Sequence, residues 1–239
     1  MLPTAFKNLA RMTTRPLDER GLFQTARSAV RVYFATRQER VEGFDSKYGT
    51  DTGRHVTMED LRAEGPDVPP LWRYAPTLMA PFRRMMAALP IEEEELVFVD
   101  LGSGKGRALL LASEYPFRRI VGVELSPRLH RVARANIERF HSDAQRCSRF
   151  ELTCMDATDW EPPPEPMVLY LFHPFPIEIF AAVLARLEAS LRACPRHVYL
   201  AYLNPLFDEI VMQTGLFERG ASGRPETRGE FEWTIYLHR

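Results

Sequence analysis

Short apolar runs alternate with amphipathic stretches in the second half of the chain. Five apolar runs predict strands, at 96–101, 119–124, 150–154, 167–172 and 197–203. Stretches of helical character lie between most of these runs, at 107–114, 127–140 and 177–192, and a proline-rich loop at 162–166 lies between the third and the fourth. Strands that alternate with helices of about 10–15 residues are typical of parallel βαβ units, with helices on both faces of the sheet. The pattern therefore predicts an α/β fold.

The C-terminal end of the chain departs from this alternation. Residues 216–221 and 231–238 are strand-like, and a link rich in Gly and Pro joins them without a helix. Parallel neighbours need a longer crossover, so this pair is predicted to be antiparallel.

The N-terminal part of the chain has a different pattern. Apolar residues recur at three- and four-residue spacing over 21–41, which predicts an amphipathic helix. Residues 44–53 are rich in Gly, Asp and Ser and indicate a structured loop, and 64–70 indicate a linker. We therefore divide the chain into a helical N-terminal extension, residues 1–70, and an α/β domain, residues 71–239.

The composition of the loop at 44–53 suggests a role for the extension. Tyr48, Thr50 and the later Tyr74 are the polar and aromatic groups that we expect to matter. The hypothesis is that the extension forms a lid or a wall over a site in the α/β domain.

Charge is unevenly distributed along the chain. The formal net charge is -1, but residues 1–40 hold eight basic and three acidic side chains. A solvated helical face explains this excess, and a basic arm that docks an acidic partner is the alternative. The acidic remainder of the chain disfavours a nucleic-acid substrate, because binding phosphates requires a basic face, but the basic N-terminal arm keeps this alternative open.

Cysteine content and hydropathy indicate a reducing environment. Cys147, Cys154 and Cys194 form no CxxC pair and have no metal-ligand spacing, so we expect no metal. No apolar run reaches about 18 residues, so we expect no membrane span. Together with the lack of a secretory h-region, these features favour a cytoplasmic location.

A glycine-rich turn links the first predicted strand to the first helix of the α/β domain. Gly102, Gly104 and Gly106 allow a tight turn, with Ser103 between them, and let a ligand lie against bare main chain. The N–H groups at the start of the helix favour an anion there. A dinucleotide fold asks for G-x-G-x-x-G, whereas the sixth position here is Arg107. A P-loop motif is absent.

Acidic residues stand at the ends of three successive predicted strands. Asp100 precedes the glycine turn, Glu124 ends the second strand, and Asp156 with Ala157 follows the third. Glu124 is placed to accept hydrogen bonds from both hydroxyls of a ribose. Three alternatives stay open. Asp100 could brace the loop, Glu124 could be an ordinary exposed acid, and the nearby Asp159 could take the role of Asp156.

Residues 97–124 resemble class I, Rossmann-like methyltransferases that use S-adenosylmethionine (SAM). The glycine motif is similar to that of Dot1-like and related protein-lysine methyltransferases. Residues 44–53 and 74–76 are similar to an uncharacterised bacterial methyltransferase group. The resemblance implies a seven-stranded sheet, mostly parallel with an antiparallel last strand. It also implies that SAM is held by Asp100, Gly102, Ser103, Gly104, Gly106, Glu124, Asp156 and Ala157.

The same resemblance places a methyl acceptor beyond the fourth predicted strand. In related amino-group methyltransferases this position resembles Asn/Asp-Pro-Pro-Tyr/Phe, and here His173, Pro174 and Phe175 occupy it. Histidine departs from the pattern but can act as a base near neutral pH, so nitrogen and oxygen acceptors both stay open. The histidine could instead cap the strand, and the aromatic could belong to the core. The implied partner is a protein or small-molecule acceptor.

Two other classes of function compete with this expectation. A NAD-linked oxidoreductase shares the strand–turn–helix logic, but its glycine spacing differs. A protein that kept the fold without catalysis is the non-enzymatic alternative. Binding of NAD instead of SAM would favour the oxidoreductase. Altering residues 173–175 would impair an enzyme but not a protein that lacks catalysis.

Overall fold

A single sheet forms the centre of the molecule. The computed structural model describes residues 43–54, 56, 74–91, 95–172, 175–227 and 230–238. In that part of the chain the strands are β1 (Val97–Leu101), β2 (Arg119–Glu124), β3 (Phe150–Cys154), β4 (Met167–Phe172), β5 (Val198–Leu203), β6 (Glu218–Gly223) and β7 (Trp233–His238).

The order of the strands is β3-β2-β1-β4-β5-β7-β6, in one seven-stranded sheet. The pairs among β1 to β5 are parallel, and β7 runs antiparallel to both of its neighbours. The mostly parallel sheet and the antiparallel C-terminal pair are therefore confirmed. The direction of winding reverses between β1 and β4, and ligands of such sheets bind at the carboxyl ends of the strands beside that point.

Helices cover both faces of the sheet, as predicted. They are α1 (Phe44–Tyr48), α2 (Met79–Ala87), α3 (Arg107–Ala112), α4 (Pro127–Arg139), α5 (Ile177–Ala193) and α6 (Asp208–Gln213), with a 3₁₀ turn at Ala157–Asp159. Within the described ranges, every helix is too short or too polar to cross a bilayer.

The sequence pattern failed at the short helices. Residues 44–53 were expected as a loop, but α1 lies within them, between Gly43 and Gly49 in the left-handed conformation (φ 66° and 67°). The six-residue helix α6 was not predicted at all. Both helices are too short to show the 3.6-residue periodicity on which the prediction depends.

The last two strands begin two residues later than their predicted starts, at Glu218 and Trp233. A turn that ends at Gly215 (φ 66°) precedes β6. After it, Phe217 is buried in the core rather than part of the strand. The predicted helix at 21–41 and the linker at 64–70 lie outside the described residues.

The core has two halves, one on each face of the sheet. Phe98 and Tyr170 pack with α2 and α3, whereas Val99 and Leu169 pack with α5. Successive residues of a strand point to opposite faces, so Asp100 belongs to the face of Phe98 and Tyr170. The fold thus places this carboxyl group at the end of a central strand, beneath the turn that follows.

Candidate functional site

The glycine turn connects β1 to α3 and is fastened to the end of β2. Gly102, Gly104 and Gly106 have φ of 81°, 54° and 84°, which favours glycine at each position. The N–H groups of Gly102 and Ser103 donate to the Val123 carbonyl at 2.8 and 3.0 Å. The turn predicted from the glycine spacing is therefore present.

The hydrogen bonds of the turn change one expectation. An anion was expected to bind at its backbone N–H groups. Gly102, Ser103, Gly104 and Gly106 already donate their N–H groups to protein oxygens, the last of them to the Ser103 carbonyl at 2.8 Å. The capacity of this turn to capture an anion is correspondingly small.

Asp100 and Glu124 lie buried side by side beneath the turn, only 4% and 8% exposed. Glu124 accepts hydrogen bonds from the Gly104 N–H through Oε2 and from the Ser126 N–H through Oε1, both at 2.8 Å. Burial raises the pKa of both carboxyl groups, and the charge of Glu124 raises that of Asp100 further.

The basic side chains of the same turn do not neutralise these acids. Lys105 Nζ lies 3.0 Å from Asp51 Oδ1, and the Arg107 guanidinium lies 3.6 Å from Asp45 Oδ1. Among the described residues, neither Asp100 nor Glu124 forms an ion pair with a cation. Buried charges are normally paired, so this pair of acids favours a ligand that brings positive charge.

Asp156 and Ala157 lie next to Glu124, because the Met155 N–H donates to the Glu124 carbonyl at 3.1 Å. Asp156 caps the 3₁₀ turn: its Oδ1 accepts from both the N–H and the hydroxyl of Thr158 at 2.7 Å. The Asp156 carboxylate, expected as part of the cofactor site, is therefore engaged within its own turn, close to the end of β3.

Leu125 is a feature of this site that sequence reasoning missed. It is 44% exposed, whereas the other large apolar residues in the described ranges are buried or partly buried. It directly follows Glu124, and its carbonyl accepts a weak hydrogen bond from Cys154 at the end of β3. An exposed apolar side chain next to Glu124 offers a surface against which a flat ring can pack.

On the acceptor side, His173 and Pro174 lie outside the described residues. Phe175 is half-buried and packs against the α5 half of the core. Asn204, at the end of the neighbouring strand β5, was not predicted. It is 4% exposed and has φ 57°, the one positive φ outside glycine in the described residues. Asparagine tolerates this conformation, which is enriched at functional sites.

A buried tyrosine of β4 lies beside Asp100 in the sheet. The Tyr170 hydroxyl lies 3.0 Å from Thr77 Oγ1, and both residues are buried. Burial and the neighbouring Asp100 raise the pKa of Tyr170. The phenol therefore stays neutral beside the carboxyl group of Asp100.

Comparison with known proteins identifies the fold. No protein-family model matches the sequence, and no curated protein matches it. Among solved structures, Sp1610 from Streptococcus pneumoniae, a candidate tRNA (m1A22) methyltransferase, is 13% identical with a TM-score of 0.50, over 68% of this chain and 70% of that one. A protein of the NADB-Rossmann superfamily from Streptococcus agalactiae is 12% identical with a TM-score of 0.49, over 68% and 69%.

A third solved structure is magnesium protoporphyrin IX methyltransferase (ChlM) from Synechocystis PCC 6803 with bound SAM. It is 12% identical with a TM-score of 0.48, over 67% of this chain and 76% of that one. At such identities the comparison shows the fold alone. The described residues thus have the Rossmann-like fold.

Proposed function

We propose that this protein is a SAM-dependent methyltransferase. The observation that carries the proposal is the pair of buried carboxyl groups, Asp100 and Glu124, beside a glycine turn whose cations face away from them. SAM carries an ammonium and a sulfonium group against one carboxylate, so its net charge complements this pair.

The residues at the strand ends suit the parts of SAM. Glu124 accepts backbone hydrogen bonds from Gly104, Leu125 and Ser126, and a carboxylate with about four acceptor sites keeps room for a ribose hydroxyl. Asp100 would face the ammonium group. Leu125 and Ala157 would flank the adenine, which the capped Asp156 borders.

NAD suits the same residues poorly. Its pyrophosphate is anionic and would lie near two buried acids, while most of the N–H groups of the turn are already used. Lys105 and Arg107, which could attract phosphate, are paired with carboxylates elsewhere. The electrostatics of the site therefore favour SAM.

The chemistry assigns the remaining roles to the ends of β4 and β5. When bound, SAM supplies a methyl group on a sulfonium, so that transfer breaks the C–S bond as the acceptor forms its new bond to carbon. The protein aligns the acceptor and takes its proton. We assign proton acceptance to His173 and the wall of the acceptor pocket to Pro174, Phe175 and Asn204.

The acceptor is a nitrogen or an oxygen of a protein, a small molecule or an RNA. A nucleic acid was disfavoured by the charge of the chain, but the fold gives that exclusion no support, because it also occurs in a candidate tRNA methyltransferase. The similarity to Dot1-like enzymes is confined to the glycine motif, so we do not propose protein lysine as the specific methyl acceptor.

Transfer of a labelled methyl group tests the proposed activity. The protein is incubated with methyl-tritiated SAM and with separate protein, RNA and small-molecule fractions of a cell extract. We expect label in one fraction, and we expect His173→Ala to slow its transfer by about a hundredfold or more, since a general base contributes that much.

The variant Glu124→Ala supplies the background, because it should bind SAM poorly. Label that never exceeds this background in any fraction would contradict a methyltransferase activity. An unchanged rate in His173→Ala would remove the proton-accepting role from His173 and leave the activity standing.

A further inference from the structure

Residues 43–54, here called the strap, fold around one carboxylate. Asp45 accepts hydrogen bonds from the Thr50 hydroxyl at 2.7 Å, from the Thr52 N–H at 2.9 Å and from the Gly53 N–H at 2.6 Å. Burial alone would raise the pKa of Asp45, but these hydrogen bonds hold it below its ordinary value. The strap is therefore a defined structure and not a loose loop.

The strap contacts the glycine turn through Lys105. The ammonium group donates to Asp51 Oδ1 at 3.0 Å and to the Arg54 carbonyl at 2.9 Å. The lysine side chain is 4% exposed and the Asp51 side chain 43%. Lys105 and Asp51 are 54 positions apart in the chain, so the pair joins segments that are distant in the sequence.

Asn136 of α4 fastens strap and turn to each other. Its Oδ1 accepts from the Asp51 N–H at 2.8 Å, while its Nδ2 donates to the Lys105 carbonyl at 2.9 Å and to the Asp51 carbonyl at 3.2 Å. The side chain is fully buried. One amide thus binds the main chain of both segments.

Arg107 makes a further contact between the turn and the strap. Its Nε donates to Thr52 Oγ1, and its guanidinium lies 4.1 Å from the centre of the Phe44 ring. The residue is 1% exposed. Arg107 occupies the position of the third glycine in a dinucleotide-binding motif. In this protein it holds the strap instead.

Tyr74 covers the turn from the other side. Its hydroxyl donates to the Thr52 carbonyl at 2.5 Å. A Cβ at Gly104 would lie 2.5 Å from Tyr74 Cε2, so glycine is required here by the tyrosine ring. The bare main chain expected to face a ligand is, at this point, covered by protein.

The contacts between the strap and the glycine turn affect the affinity for a ligand. A turn with three glycines at positive φ has many accessible conformations when it is unsupported, and ordering it would weaken affinity for any ligand. Contacts that fix the turn before a ligand binds avoid this weakening of the affinity. They also hold the ammonium of Lys105 on Asp51.

We propose that Asp51, which Asn136 holds in place, is a positioning residue for the cofactor. It fixes the glycine turn through Lys105 and so raises the affinity of the protein for SAM without contacting SAM itself. This inference rests on the proposed function. It extends the site to the N-terminal part of the chain.

A double-mutant cycle on SAM affinity tests the inference. Lys105→Met, Asp51→Asn and the double variant are titrated with SAM by calorimetry, at a temperature at which each is folded. Each single variant should raise Kd by about tenfold, and the double variant by the same factor, since coupled neighbours are not additive. Arg219→Met, which removes the Asp208 ion pair far from the turn, should leave Kd unchanged.

The outcomes separate positioning from stability. A variant that only destabilises the fold lowers Tm and leaves the Kd of the folded protein unchanged. Single variants with wild-type Kd, or a double variant whose effect is the product of the two, would overturn the inference. Because Asp51 is partly exposed, Asp51→Asn still decides if Lys105→Met fails to fold. Wild-type protein that binds no SAM would instead overturn the proposed function, and this inference with it.

Discussion

Glu124→Ala is expected to raise the Kd for SAM by more than about a hundredfold, because it removes two hydrogen bonds from ribose hydroxyls to a charged acceptor. The substitution also leaves the N–H groups of Gly104 and Ser126 without their acceptor. The second effect loosens the glycine turn and the start of α4, which Ser126 caps, so stability should also fall, but less than affinity. Calorimetric titration with SAM measures the first effect and thermal unfolding the second.

Two variants make this result specific. Glu124→Gln keeps one acceptor oxygen and should bind SAM with intermediate affinity. Glu151→Ala removes a half-exposed carboxylate from the neighbouring strand β3 and should bind like the wild type. If Glu124→Ala binds SAM within about threefold of the wild type, a difference of under 1 kcal/mol, Glu124 does not hold the ribose.

Asp100→Asn is expected to stabilise the protein at neutral pH and to weaken SAM binding. Burial raises the pKa of Asp100 well above its ordinary value of 3.8, so the folded protein favours the protonated acid. The stability from this group is full below that value and is lost as the pH rises toward the raised pKa. Asparagine avoids this loss, so the gain in Tm over wild type should grow as the pH rises above about 4 and reach at least about 2 °C.

The same substitution should raise the Kd for SAM by about tenfold or more, since a hydrogen bond to a charged group is lost. Stability gained at the expense of binding is typical of functional sites. Asp143→Asn, at an exposed position, serves as the control and should change neither Tm nor Kd. A variant that is less stable than wild type at pH 7, or that binds SAM equally well, would show that Asp100 braces the loop instead.

Much of the sheet could be predicted from the sequence. The bounds of β2, β3 and β4 agree with the apolar runs at 119–124, 150–154 and 167–172. The turn was also predictable, because only glycine occupies positive φ in such a series without strain. In both cases the signal is local, since it depends on neighbouring residues and not on contacts formed by folding.

The strap could not be predicted, because its contacts join residues far apart in the chain. Asn136 and Asp51 are 85 positions apart, and no periodicity connects them. Arg107 gave a signal only as a missing glycine, and Lys105 only as the residue that does not complete a P-loop. Asp156 follows β3, but its engagement by Thr158 depends on a 3₁₀ turn too short to leave a pattern in the sequence.

Titration of the purified wild-type protein with SAM, with its demethylated product S-adenosylhomocysteine, and with NAD tests the central claim most directly. The buried acids and the occupied N–H groups of the turn predict that SAM and its product bind at one site and that NAD gives no heat of binding. Glu124→Ala should abolish the heat of SAM binding under the same conditions. Binding of NAD in preference to SAM, or no binding of SAM to the folded protein, would contradict the account.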